Sequence, residues 1–82
     1  RSQKHVNGLV ADTLLFFALE IYGKDDFTFP VSREEIGNLI GTTKETVSRV
    51  LNEFDKDGLI SMKGKQVKIL DRGKLKTISQ KG

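Results

Sequence analysis

The stretch SREEIGNLIGTTKETVSRVLNEFDKDG, residues 32–58, decides the fold. Ser32 and Glu35 stand three apart, the spacing of a capping box, in which each side chain satisfies the other's backbone N–H. A short helix follows, with Ile36, Leu39 and Ile40 on one face, and Gly41 stops it. A second start signal comes at once. Thr42 with Glu45 makes another capping box, or Thr43 is the cap instead. The new helix carries Val47, Val50, Leu51 and Phe54 inward and ends at Lys56-Asp57, with Gly58 past its end.

Two short helices joined by a glycine-bearing turn make a helix-turn-helix. Gly37 lets the second helix come close to the first, and Gly41 permits a left-handed turn. Burial of Val47 and Val50 turns Lys44, Glu45, Ser48 and Arg49 outward, with Asn52 and Glu53 beyond them. That set suits DNA. Arginine bonds bidentately to guanine, glutamate accepts from cytosine, and serine reaches bases or phosphates. Glu45 beside Arg49 makes sense for reading bases rather than for neutralising phosphate alone.

Working outward, residues 59–70 read as a hairpin. Leu59–Met62 is one strand, Lys63-Gly64-Lys65 the turn, and Gln66–Leu70 the return strand. A helix-turn-helix followed by such a wing is a winged helix, with Lys63, Lys65 and Lys68 placed to touch phosphates. Upstream, apolar residues from Val6 to Tyr22 recur at helical spacing, with Leu15, Leu19 and Tyr22 widening the stripe, and Gly23 follows as a C-cap. Phe16 lies off the stripe and is expected to pack on a neighbouring element. Phe27-Thr28-Phe29 suits a short strand that ends at Pro30. Downstream, Asp71 caps a last short helix through Arg72, Lys74, Leu75 and Ile78, with Ser79–Gly82 frayed. The expected class is therefore α+β: one winged helix-turn-helix domain over residues 1–82, a three-helix core with a small antiparallel wing and a short C-terminal helix.

Composition agrees. The 82 residues suffice for one small domain. Net charge is +3, but its distribution is uneven: residues 1–58 carry −3 and residues 59–82 carry +6. The basic third either faces a polyanion or is a solvated lysine-rich tail. There is no cysteine and one histidine, His5, so disulfides, cysteine-based metal sites and a Ser-His-Asp triad are excluded or disfavoured, and no catalytic residue is expected. The longest apolar run, Leu14–Leu19, is too short to span a membrane, and no signal-peptide pattern opens the chain. The chain begins at Arg1 rather than Met, which points to a piece of something longer.

The run from Glu35 to Leu70, with the upstream helix Asp12–Leu19, resembles the DNA-binding domain of Crp/Fnr-type bacterial transcription regulators. Glu45, Ser48 and Arg49 match the E-x-x-S-R base-reading set of the Fnr-like branch. The cyclic-AMP-receptor branch usually has glycine at the position of Ser48, and Lys44 echoes its basic residue before the glutamate. The resemblance implies phosphate contacts at Ser32, Arg33, Thr43 and Thr46, and a wing tip at Lys63 and Gly64 near the backbone. It further implies a cytoplasmic, homodimeric regulator on a palindromic operator in double-stranded DNA. The Gly23–Phe29 loop, with Asp25 and Asp26, would correspond to a region that touches RNA polymerase. No cofactor is expected in this domain. The family's sensory β-roll and long dimerisation helix are absent from the sequence, so the sensed signal is not readable and this piece alone should be monomeric. A winged helix serving only protein–protein contact is the alternative. It would need an apolar or aromatic centre on the exposed helix face.

Overall fold

The computed structural model describes residues 5–81. Capping sets most of its helix ends. Ser32 Oγ accepts from the Glu35 N–H at 3.1 Å, and Glu35 Oε1 accepts from the Ser32 N–H at 2.8 Å. Helix α2, Arg33–Ile40, follows and ends at Gly41 with φ 84°. Thr43, rather than Thr42, caps α3 (Lys44–Lys56): its Oγ1 accepts from the Thr46 N–H at 3.1 Å. Thr42 belongs to the preceding turn, where its N–H bonds to Gly37 O at 2.7 Å. Past α3, the Leu59 N–H returns to Phe54 O at 2.9 Å.

Helix α1 covers Val6–Phe16 and then widens into a π-helical segment, Phe17–Tyr22, closed by Gly23. The sequence pattern predicts one uniform helix here. The wider turn shifts the phase of the apolar stripe. Phe17 and Ala18 are buried, whereas Leu19, Ile21 and Tyr22 face outward. Phe16 is half exposed and meets only the edge of the core, its ring 5.9 Å from that of Phe17.

Strand β1 (Asp26–Thr28) joins β2 (Ile60–Lys63) and β3 (Gln66–Ile69) in an antiparallel sheet of order β1-β3-β2. The hairpin expected from the sequence thus gains a third strand. Its register sets Phe27 opposite Val67 and Val67 opposite Met62, so one sheet face closes on the helices. Phe29 packs edge to face with Phe17 and with Phe27, both at 5.8 Å, Phe17 lies tilted against Phe27 at 6.1 Å, and Tyr22 stacks on Phe27 at 5.4 Å. Leu14, Ile36, Val47, Val50, Leu51, Ile60 and Leu75 complete the core.

Two further expectations change. Leu39 is not on the inner face of α2 but 75% exposed. Gly37 faces α3 and Ile36 and Ile40 face the core, so at 100° per residue the buried arc is centred more than a quarter-turn from Leu39. Helix α4, Arg72–Lys81, does not fray at Ser79. Ser79 is buried and its Oγ donates to Asp12 Oδ1 on α1, so docking onto α1 holds the last turn. Gly82 lies outside the described residues. Asp71 does cap α4, its Oδ1 accepting from the Lys74 N–H at 3.0 Å. No helix among the described residues is long and apolar enough to cross a membrane.

Candidate nucleic-acid interface

The outer face of α3 follows from its inner one. Val47, Val50, Leu51 and Phe54 are all buried. The remaining arc, Lys44, Glu45, Ser48, Arg49, Asn52, Glu53 and Lys56, lines a broad open groove. Close helix contact projects this face. A Cβ on Gly37 would lie 2.7 Å from Thr42 O and 3.1 Å from the Thr43 carbonyl carbon, both backbone atoms.

Around the start of α3 the elements converge. Ser32 and Arg33 from α2, Lys44 and Ser48 from α3, and Lys65 from the wing border one cleft. A neighbouring recess is lined by Thr42, Thr43, Lys44 and Glu45 with Glu34 and Asn38. Thr43 Oγ1 donates to Thr46 Oγ1 at 3.0 Å, so the two hydroxyls expected at phosphate sit together at the helix start, where free N–H groups favour an anion. Gly64 forms the wing turn at φ 59°. Lys63 stands apart from the cleft. It borders the outer side of the sheet with Asp26, Ser61, Gln66 and Lys68.

Two side-chain commitments are not visible in the sequence pattern. Arg49 pairs with Glu53, Nη1 to Oε2 at 3.2 Å, and not with Glu45. Arg33 points at the wing, its Nη2 donating to Gly64 O at 3.3 Å and lying 3.7 Å from Met62 Sδ. Asn38, Asn52 and Lys56 also border the grooves and were not among the residues expected to act. The four-residue step from Ser48 to Asn52 to Lys56 was the available signal. Arg49 further borders a depression with His5, Asn7, Thr77 and Lys81. The packing of α1 against both α3 and α4 brings these together, so no local pattern announces it. Among the described residues no group of three or more His, Asp or Glu side chains could hold a metal.

Residues 10–78 match the sequence profile of the Crp-like helix-turn-helix domain. The chain belongs to that family. The Crp-like domain here is 46% identical over 55 residues to the transcriptional activator protein FnrA of Stutzerimonas stutzeri, covering 67% of this chain and 22% of that one. It is 35% identical over 78 residues to the transcriptional regulatory protein btr of Bordetella pertussis, covering 95% and 32%. FixK2 from Bradyrhizobium japonicum superimposes with a TM-score of 0.87 at 29% identity, over 94% of this chain and 39% of that one. The Crp-like domain thus spans between about a fifth and two fifths of these relatives. Its four helices and three-stranded sheet are the winged helix-turn-helix of Crp/Fnr type.

Proposed function

We propose that the domain binds double-stranded DNA sequence-specifically as the output part of a bacterial transcription regulator, with α3 in the major groove. One observation carries this reading. The inner face of α3 is wholly buried, and its outer face is an unbroken polar arc flanked by the α2 start and the wing. Glu45, Ser48, Arg49 and Lys44 read bases. Ser32 and Lys65 border the cleft at the start of α3 and Thr43 the recess beside it; with Thr46 and the Gly64 turn they meet phosphates, and Lys63 meets them from the outer side of the wing. Arg33, expected at phosphate, is turned to the wing tip instead. The relatives named as an activator and a regulator agree with this role. The exposed arc of α3 has no apolar centre, which disfavours a purely protein-docking role.

In a full-length regulator two such domains read a palindrome with half-sites about one helical turn apart. The isolated domain is monomeric and lacks the gain of linked sites, on the order of 10²–10⁴. It acts in the cytoplasm and needs no cofactor of its own. A contact with RNA polymerase on the Gly23–Phe29 segment falls to Asp26 and Thr28, which are exposed, because Asp25 pairs with Arg72. Selection of bound sequences from random duplexes tests the reading. Enrichment of one half-site is the expected result, and no enrichment at low salt overturns it.

A further inference from the structure

Arg33 does not sit as a phosphate contact should. Its Nη2 is engaged with Gly64 O at 3.3 Å, across 31 residues of chain, and with Met62 Sδ at 3.7 Å. Its Nε is buried without a hydrogen-bond partner. A buried donor left unmade is costly, so a side chain free to turn to solvent would not keep this pose unless the wing contact offset the cost. The wing turn is only two residues, Gly64-Lys65, beyond the closing pair Lys63 and Gln66. Its first strand is tied to α3 where Asp55 Oδ2 accepts from the Met62 N–H at 3.2 Å. On its β1 side the Phe29 N–H donates to Lys65 O at 2.8 Å. From α2, Arg33 is the hold on the tip.

We propose that Arg33 is a positioning residue for the wing. Its guanidinium clasps the hairpin tip at Gly64 to the start of α2 and so sets where Lys63 and Lys65 meet the DNA backbone. The consequence for DNA rests on the DNA-binding reading, whereas the clasp itself does not. Lysine cannot replace arginine here, because both contacts come from the terminal Nη2 and a lysine Nζ ends one bond short of it.

The test compares the wild-type chain with Arg33→Ala and Arg33→Lys. Amide hydrogen exchange in the absence of DNA is read at Phe29 and Gln66 beside the tip, with Val47 and Leu51 in α3 as the check that the fold is intact. A clasp predicts tip exchange faster by roughly 2- to 10-fold in both variants, the range that one hydrogen bond supplies, with the α3 amides unchanged. Salt titration on a random-sequence duplex is the second arm. Loss of the clasp removes both wing lysines from phosphate, so the slope falls by nearly two in both variants. A plain phosphate contact instead predicts a fall of about one in Arg33→Ala and a wild-type slope in Arg33→Lys. That outcome, or unchanged tip exchange in both variants, overturns the clasp. If the wild-type chain binds no duplex, the DNA-binding reading falls and the exchange arm alone decides the clasp.

Discussion

Arg49 Nη1 donates to Glu53 Oε2 at 3.2 Å, one turn further along α3, and the guanidinium is thereby turned away from Glu45. Both partners are about half exposed, so the pair adds little stability, about 0.3–0.5 kcal/mol. What it does is orient. Arg49 is held along the helix with donors still free on its other edge, and the Glu45 carboxylate is left out of the pair.

Arg49→Ala should cost on the order of 1–3 kcal/mol on a cognate site and relax preference at one guanine, with little effect on unrelated duplexes. Competition binding against single-base variants of the selected site measures this. Equal weakening on cognate and random DNA would count against base reading.

Glu53→Ala removes a negative charge from the groove and frees Arg49. Binding to unrelated duplex should tighten and the margin between cognate and random DNA should narrow, while the urea midpoint stays nearly constant. Paired titrations on the two duplexes show it.

Lys63→Ala should weaken all sequences alike and reduce the slope of log affinity against log salt by about one. The side chain is exposed on the outer side of the wing, so no loss of fold stability accompanies the change.

Gly37→Ala should destabilise the domain by about 1–3 kcal/mol, because the added Cβ would meet backbone at 2.7 Å and neither α2 nor α3 can yield without losing core contact. Urea unfolding reads the stability. Affinity should fall too, since the α2–α3 spacing sets how far α3 projects.

Thr43→Ala removes the cap of α3 and should cost about 1 kcal/mol, whereas Thr42→Ala should cost less, because Thr42 serves the turn through its backbone. Thermal melts of the two variants separate them.

The sequence by itself determined what depends on neighbours a few residues apart. The Ser32–Glu35 box, the stop at Gly41, the Asp71 cap and the inward set Val47, Val50, Leu51 and Phe54 are local, because capping and helical periodicity act within one or two turns. The arc Lys44, Glu45, Ser48 and Arg49 followed as its complement. Tertiary structure decided the rest, because those choices are made between elements distant in the chain. The sheet took β1 onto β3, the π-helical segment turned Leu19 and Ile21 outward, and Leu39 lost its place on the inner face once Gly37 met α3. Ser79 was ordered by Asp12, 67 residues away. Arg49 had two glutamates at equal spacing, Glu45 and Glu53, and only its packed rotamer chose between them. The resemblance put Arg33 at phosphate, yet a carbonyl 31 residues on claims it, and no periodicity encodes a contact at that range.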